Sequence, residues 1–425
     1  MKNISVTVEK GLCISCGVCR GICPKNCISF RREQGMYLAS ADSSECTECG
    51  LCQAVCPGFT HVYEPCGGAA ETVSGSAQKC FNAWSKDGHL RHISASGGVI
   101  STIVRVLLDS GEYDGAFCLD TYDYSAQLKT RLYSAKDIEE GWGTSNAPKS
   151  RYLPVSHENA VMYMRENRAA RLIFVGTSCA IRALRAAVSK LRLEPEQYLF
   201  IGLFCDKVFN YNVWSYFEDK YLNGAPLKAV HFKNKESGGW PGDMKFYPND
   251  GEPFYVPLSD RARAKAYFMP ERCLYCVDKL NVTADISVGD NYTGIDESEL
   301  GSNSVIIRTD KGMGAWASAA EKLERRAVSF EDISRAQAID LRLKNMYFGD
   351  LRTDCDDLNC GVPREKNAAD FESEWKTSIK RLRSGAVYAE KPDAVKKQIY
   401  KDNKKPCIVK RALKKIFRYA KRLLK

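Results

Sequence analysis

Cys13-Ile-Ser-Cys16-Gly-Val-Cys19-Arg-Gly-Ile-Cys23-Pro24 is a block of four cysteines that the chain repeats as Cys46-Thr-Glu-Cys49-Gly-Leu-Cys52-Gln-Ala-Val-Cys56-Pro57. Both blocks have the spacing C-x2-C-x2-C-x3-C-P, and each cysteine of the second lies 33 residues after its counterpart in the first. Two intervening residues let neighbouring thiolates bind different metal atoms of one centre. Zinc, the alternative, is bound by two separated C-x2-C pairs rather than by four clustered cysteines. The repeat therefore predicts iron–sulfur centres.

The spacing is that of bacterial two-cluster ferredoxins, in which the fourth cysteine of each block binds the other cluster. We predict one 4Fe-4S cluster on a first set, Cys13, Cys16, Cys19 and Cys56, and another on a second set, Cys23, Cys46, Cys49 and Cys52. Cys27 lies outside the pattern and is predicted to pack as a small core residue rather than to bind metal. Such a module carries single electrons, so the function depends on the rest of the chain.

Length and composition indicate a globular protein of two to four domains. The chain has 425 residues, of which 44% are hydrophobic and 27% are charged. No apolar run approaches the ~18 residues of a membrane-spanning helix, and no signal-peptide core is present at the N-terminus. The 19 cysteines are therefore expected to stay reduced in a cytoplasmic protein, and the clustered ones to bind metal rather than to form disulfides.

A serine- and glycine-rich turn begins the segment after residue 89. The residues Ser96-Gly97-Gly98 precede an apolar run, 99–109, that is typical of a helix. The free N–H groups at the start of such a helix suit an anion, and the alternative is an ordinary capped core helix. Further along, Pro148-Lys149-Ser150-Arg151-Tyr152 is a basic turn, for which the alternative is a solvated surface loop.

Two apolar strands are each followed by a cysteine. Leu172–Val175 precedes Cys179, and Tyr198–Phe204 precedes Cys205. This edge, beyond the carboxyl ends of strands, is where open α/β sheets bind ligands. The sequence also predicts strands at Gly115–Leu119, Ala229–Phe232, Ile286–Val288 and Ser304–Arg308 and a helix at Met313–Arg326. Strands that alternate with helices predict an α/β domain.

A lone C-x2-C pair, Cys273 and Cys276, completes a third set of thiols with Cys179 and Cys205. All four lie in loops or at strand ends, and we predict that they bind a third 4Fe-4S cluster. The alternatives are buried unreactive thiols, a zinc site or a redox disulfide.

The middle of the chain, about residues 90–345, resembles the family of coenzyme F-420 (deazaflavin) hydrogenase/dehydrogenase beta subunits. Six short motifs in the family's order carry the resemblance: Ser96-Gly97-Gly98, Lys149-Ser150-Arg151-Tyr152, Gly176-Thr-Ser-Cys179, Leu203-Phe204-Cys205, Cys273-x2-Cys276-x-Asp278 and Ala284-Asp285-Ile-Ser-Val-Gly289-Asp290. The family usually has Gly-Thr-Pro-Cys-Gln where this chain has Gly176-Thr-Ser-Cys179-Ala180.

The resemblance implies an FAD-binding oxidoreductase with a cluster near the flavin. The candidate flavin contacts are Ser96, Gly97, Gly98, Lys149, Arg151, Tyr152, Asp285, Gly289 and Asp290. Members of the family move electrons between iron–sulfur centres and flavin, and some reduce deazaflavin. Bacterial members with a fused ferredoxin module often accompany polysaccharide-synthesis proteins.

The carboxyl-terminal part of the chain is strongly basic. Residues 376–425 contain 18 Lys or Arg and three Asp or Glu, so the other residues carry about −5 of the chain's net +10. The body is thus mildly acidic, which argues against nucleic-acid binding. Within Pro406–Lys425 apolar residues lie on one helical face and cations on the other, which predicts peripheral contact with an anionic membrane. The alternatives are a solvated tail, a helix docked on its own domain, or a nucleic-acid or acidic partner.

These observations predict four parts: an α+β ferredoxin-like dicluster domain (1–62), a linker (63–89), an α/β domain that binds FAD and an iron–sulfur cluster (90–350), and a basic helical tail (351–425). The predicted function is an iron–sulfur flavoprotein oxidoreductase. It would pass electrons from a redox protein through three clusters to FAD and an organic acceptor. The alternatives are a non-catalytic electron-transfer subunit of a larger complex and an interaction module with structural clusters.

Overall fold

The structure is a computed structural model that describes residues 2–59, 73–120, 126–142, 149–340 and 369–404. Its strands are β1 (Ile28–Glu33), β2 (Met36–Ala41), β3 (Lys79–Ser85), β4 (Gly115–Leu119), β5 (Thr130–Tyr133), β6 (Leu172–Thr177), β7 (Tyr198–Leu203), β8 (Leu227–Asn234), β9 (Asp243–Pro248), β10 (Phe254–Val256), β11 (Ile286–Asp290), β12 (Asn303–Ile307) and β13 (Leu323–Ala327).

The α-helices span Ser5–Glu9, Val18–Ile22, Leu51–Ala54, Gly88–Ile93, Val99–Asp109, Ala135–Gly141, Glu158–Glu166, Ser178–Lys190, Asn212–Leu222, Leu258–Phe268, Asp310–Ala319, Phe330–Ala336, Ala369–Ala386 and Pro392–Lys404. Three short 3-10 turns lie at Pro195–Gln197, Glu271–Tyr275 and Ala320–Lys322. No helix among the described residues is both long and apolar enough to cross a membrane.

The centre of the fold is an eight-stranded mixed sheet with the order β13-β3-β12-β11-β7-β6-β4-β5. Its inner strands β4, β6, β7 and β11 are parallel, and antiparallel strands flank them on both sides. Ile173, Leu199 and Ile201 face one buried cluster, whereas Phe174 and Phe200 face another on the opposite side. Because both faces are covered, β6 and β7 are continuously apolar in sequence, as predicted.

The predicted α/β domain is confirmed, and two segments differ from the prediction. β3 lies in the predicted linker 63–89, where it pairs with β12 and β13 from far along the chain. The predicted helix Met313–Arg326 ends at Ala319, and its last part is β13. Such long-range pairing overrides local propensity and leaves no local signal.

Part of the predicted tail belongs to the body of the protein. Tyr388, Val395 and Ile399 are buried in a cluster with aromatic residues of β8, β9 and the helix Asn212–Leu222. This cluster covers a small antiparallel sheet of order β10-β9-β8. The predicted amphipathic segment Pro406–Lys425 lies outside the described residues, so its membrane contact stays a prediction.

Candidate functional site

The first set of cysteines surrounds one cavity. Cys13, Cys16, Cys19 and Cys56 line it together with Ile4, Ile14, Gly17, Phe30 and Pro57, and its empty space, part of it open to solvent, is about 290 Å³. Cys56 thus comes from the second block and faces the three leading cysteines of the first. This is the crossed arrangement that the repeat predicts.

The second set surrounds a neighbouring cavity of about 340 Å³, part of it open to solvent. Its lining includes Cys23, Cys46, Cys49 and Cys52, together with Cys27. Cys49 is exposed, whereas Cys23 and Cys52 are buried. Burial raises the pKa of Cys19 most, the first-set thiols raise it further, and Cys52 of the second set adds to the shift. Cys19 and Cys52 therefore lie close together, and the two cavities adjoin. Because Cys49 is the one exposed cysteine among the described residues, the second set is the one that faces the surface.

Backbone geometry at two equivalent glycines shapes these cavities. Gly17 and Gly50 have φ angles of +74° and +76° and immediately precede the short helices that carry Cys19 and Cys52. Left-handed backbone favours glycine because it lacks a Cβ atom. The repeated glycine in C-x2-C-G-x-C therefore turns the chain between the second and third ligand of each block.

The cluster module is docked on the large domain through the first set. The backbone N–H of His157 donates to the carbonyl oxygen of Cys16 at 2.8 Å. Val18 and Ile22 pack in the same buried cluster as the helix Glu158–Glu166. The buried Glu158 carboxylate pairs with Arg20 at 3.5 Å and with Lys129 at 2.7 Å.

The third set converges at the carboxyl edge of the main sheet. Cys179 follows β6 and Cys205 follows β7, while Cys273 and Cys276 come from the turn that precedes β11. Burial raises the pKa of the Cys205 thiol, and the thiols of Cys179, Cys273 and Cys276 add to the shift. The four side chains are therefore close enough to interact electrostatically, although they come from three separate segments.

The third set also adjoins the first. Burial raises the pKa of Cys16, and Cys179 is among the thiols that raise it further. Cys16, Cys179, Cys205 and Cys273 all belong to or pack against one apolar cluster with Ile14 and Met269. The three sets consequently form a row, from the second set, with its exposed Cys49, through the first to the third.

Arg272 lies between the first and third sets. Its side chain is 7% exposed, and its Nη2 donates to the carbonyl oxygen of Pro57 at 3.2 Å. The guanidinium lowers the pKa values of Cys56 in the first set and of Cys179 and Cys273 in the third, although burial outweighs it in each. One buried cation is thus shared by both sets.

The thiol chemistry fits clusters rather than bare thiols. Burial raises the pKa of Cys13, Cys52 and Cys273 to about 11, so these thiols are neutral without a metal. Bound metal supplies the positive charge that a buried thiolate needs. Among the described residues no three Cys, His, Asp or Glu side chains are arranged to hold a single metal ion. The first and second sets instead surround cavities.

The candidate flavin residues at Ser96–Gly98 lie at the same edge of the sheet. Ser96 Oγ donates to the carbonyl oxygen of Ser302 at 2.7 Å. A Cβ on Gly97 would lie 2.8 Å from the carbonyl oxygen of Ala83, so this glycine permits close packing on β3. The N–H of Val99 donates to Asn303 at 3.4 Å, which favours the alternative of a capped helix start.

A group of five cations, which we call the basic cluster, lies beside this turn. Its members are Arg91, Lys149, Arg151, Lys233 and Lys235. Burial and, to a lesser extent, the neighbouring Arg151 lower the pKa of Lys149 to about 8. Lys235 donates to the carbonyl oxygens of Arg91, Ser96 and Leu300 at 2.5, 2.7 and 2.7 Å.

Two carboxylates of the described residues, Asp290 and Glu236, interact with this cluster. Lys233 forms an ion pair with Asp290, and Glu236, which counters Lys149, is itself bound by Lys245 and Tyr255. Tyr152 stacks with Phe232 at 5.1 Å, and Trp240 lies 5.4 Å from Tyr292. The cluster therefore has the charge for a buried anion and aromatic rings around it, which fits the phosphates of a dinucleotide.

Two of the predicted flavin contacts have structural partners. Asp285 lies at the opposite, amino end of β11, where Arg185, the N–H of Phe200 and Thr309 each donate to it at 2.8 Å. The structure therefore separates Asp285 from the other candidates. A Cβ on Gly289 would overlap the ring of Phe204, so this glycine makes room for that ring.

Sequence reasoning missed Arg272 and five residues in or beside the basic cluster, namely Arg91, Lys233, Lys235, Trp240 and Tyr292. The only sequence signal at Lys233 and Lys235 is a pair of cations where β8 ends, because the register shift in β8 and the φ of +53° at Lys233 break the alternation of the strand. No comparable signal exists for Arg272, whose role depends on the approach of Pro57.

Comparisons with known proteins agree with this architecture. Residues 12–59 match the 4Fe-4S dicluster domain. Residues 80–161 and 169–332 match the N-terminal and C-terminal parts of the coenzyme F420 hydrogenase/dehydrogenase beta subunit. Together these two parts cover more than half of the chain.

Two curated relatives are proteins that carry coenzyme F420 in their names. A subunit of the F(420)H(2) dehydrogenase of Methanosarcina mazei is 26% identical, over 73% of this chain and 83% of its own length. The coenzyme F420-dependent sulfite reductase of Methanocaldococcus jannaschii is 24% identical, over 80% of this chain and 50% of its own length.

A solved structure shares the fold. It is a chain of the F420-reducing NiFe hydrogenase complex from Methanosarcina barkeri, with a TM-score of 0.50 and 21% identity, which covers 69% of this chain and 98% of that chain. The family matches and the relatives support an iron–sulfur electron-transfer protein related to oxidoreductases. The chain belongs to the family of coenzyme F420 hydrogenase/dehydrogenase beta subunits and carries a 4Fe-4S dicluster domain ahead of the family's own two parts.

Proposed function

We propose that the chain is the electron-transfer subunit of a larger redox complex, with the three cysteine sets as ligands of three 4Fe-4S clusters. The observation that carries the proposal is the row of thiol sets from the exposed Cys49 to Cys179 at the sheet edge. When bound, such clusters take up and release single electrons. Among the three sets the surface-facing second set is the best placed to meet a redox protein.

At the other end of the row we propose that the basic cluster binds FAD. Arg151 approaches Lys149, which in turn approaches Lys235, the residue that holds the Ser96–Gly98 turn. Asp290 anchors Lys233. The cations of the cluster would neutralise the phosphates of the dinucleotide. Flavin converts single-electron into two-electron chemistry, which an organic acceptor requires. The names of the relatives make coenzyme F420 the acceptor to test first.

The catalytic alternative, an independent reductase of an organic substrate, is not favoured by a particular contact. The predicted association with polysaccharide synthesis also stays a prediction, because none of the relatives named above has that role in its name.

Anaerobic purification followed by iron, sulfide and flavin analysis tests the proposal. We expect about twelve iron atoms and one FAD per chain. The reduced chain should transfer electrons to F420, or to a co-purifying protein, and Cys179→Ala should block the transfer while second-set iron remains. A chain that holds about eight irons and no FAD after reconstitution would limit the function to that of a ferredoxin.

A further inference from the structure

A fifth thiol lies at the second set. Cys27 Sγ is 3.5 Å from Cys23 Sγ. Cys27 lines the same cavity as the four predicted ligands, and Cys46 also interacts with it. The sequence pattern predicts a packing role for Cys27, but its sulfur faces the cavity beside a ligand.

Local structure keeps Cys27 at this position. Asn26, in left-handed backbone with φ +52°, donates its N–H to the carbonyl oxygen of Cys23 at 3.3 Å and turns the chain back. The carbonyl oxygen of Cys27 accepts from the N–H of Asp42 at 2.8 Å, which ties it to the β1–β2 hairpin. Cys23 and Cys27 are thus the two ends of one tight turn.

The repeat shows that this thiol is particular to the second set. The residue 33 positions after Cys27 is Thr60, so the first set has no equivalent cysteine beside Cys56 in the sequence. The fifth thiol therefore belongs to the set whose Cys49 is exposed, and exposed clusters are those that oxidants reach most readily.

We propose that Cys27 is a reserve ligand of the second cluster, which takes the iron that Cys23 normally binds whenever Cys23 cannot bind it. The exchange is redox-neutral. The iron–sulfur bond to Cys23 breaks, a bond to Cys27 Sγ forms, and the proton of the Cys27 thiol passes to Cys23 or to solvent. Because the two sulfurs are 3.5 Å apart, the exchange needs only a small movement within the turn. The inference rests on the proposed function in one respect, because it requires a cluster at the second set.

Four full-length variants, prepared anaerobically, test this inference: Cys23→Ala, Cys27→Ala, the double variant and Cys56→Ala as the matched control. Iron and sulfide content and the EPR spectrum of the reduced chain are measured. We expect Cys23→Ala and Cys27→Ala each to keep wild-type iron, whereas the double variant and Cys56→Ala each lose about four irons per chain.

Alkylation with iodoacetamide, mapped by mass spectrometry, gives a second readout that does not depend on the double variant. Cys27 should be alkylated slowly at high pH in the iron-loaded wild-type chain, because burial and Cys23 raise the pKa of its thiol, and should be protected under the same conditions in iron-loaded Cys23→Ala. If Cys23→Ala loses about four irons, as Cys56→Ala does, or if Cys27 stays reactive in it, Cys27 is not a reserve ligand. If the wild-type chain itself lacks iron at the second set, the proposed function fails first.

Discussion

The backbone N–H of His157 donates to the carbonyl oxygen of Cys16 at 2.8 Å, so the chain segment before the helix Glu158–Glu166 binds directly to a cluster-binding loop. The segments around these two residues are in close contact, because Gly17 lies against Ser156 and Gly21 lies against Val161. The cluster module is therefore held by its first set, which places that set beside the thiols of the main sheet.

Gly17→Ala should be far more disruptive than Gly50→Ala. Both glycines have left-handed φ angles, so each substitution costs about 1–2 kcal/mol of backbone strain. A Cβ at Gly17 would also overlap Ser156 Oγ, whereas at Gly50 its nearest described neighbour is the carbonyl oxygen of Lys2, 4.0 Å away. We expect an additional loss of about 1–3 kcal/mol for Gly17→Ala in denaturant unfolding of the iron-loaded chain. Equal losses for the two variants would argue against tight docking.

Cys205→Ala should remove about four irons per chain and leave the EPR signals of the first two sets in place. Its thiol interacts with Cys179, Cys273 and Cys276, so its loss leaves the third set with three ligands. Cys118→Ala is the control, because Cys118 is a buried thiol of β4 within the sheet core, whereas Cys205 is partly buried at the sheet edge. Full iron content in Cys205→Ala would show that the third set consists of packing residues.

Arg272→Gln should make both adjoining clusters harder to reduce. Removal of a buried positive charge disfavours an added electron, and a charge of this kind corresponds to a midpoint potential more negative by roughly 50–100 mV. Arg272→Lys should retain most of the wild-type potential. Arg171→Gln, at the amino end of β6, removes one charge from an exposed site and should leave both potentials unchanged. Potentials measured by EPR-monitored redox titration that do not move in Arg272→Gln would contradict this role.

Binding of a dinucleotide at the basic cluster should weaken as the pH rises from about 7 to about 9. Burial lowers the pKa of Lys149 to about 8, so its ammonium is charged below that pH and neutral above it. The anion loses a charged partner over this window, and we expect its affinity to fall roughly tenfold. Isothermal titration with FAD measures the change. Burial also lowers the pKa of Lys235 to about 7, so Lys149→Arg should remove only the part of the pH dependence near pH 8. A wild-type affinity that is flat over the window would exclude Lys149 as a phosphate contact.

Local sequence was sufficient to predict the cysteine sets of the dicluster module and the inner parallel strands of the α/β domain. The repeat predicts which cysteines share a cavity because iron–sulfur ligation imposes short, fixed spacings on the chain. β6 and β7 were predictable because strands buried on both faces are continuously apolar. In contrast, β3 has no such run, and its place in the sheet depends on partners more than 200 residues away.

The amino-acid sequence by itself indicated the type of chemistry. It showed thiols with the spacing of cluster ligands, motifs of a family of redox proteins and a basic carboxyl-terminal segment. Which groups meet, however, depends on the folded arrangement. Folding brings Cys16 beside Cys179 and Arg272 between their sets, and it separates Asp285 from Asp290, although only four residues lie between them. One physical reason is that a strand spans the sheet from edge to edge, so its two ends face different surroundings. The other is that the partners of buried charges and thiols are set by packing rather than by spacing along the chain.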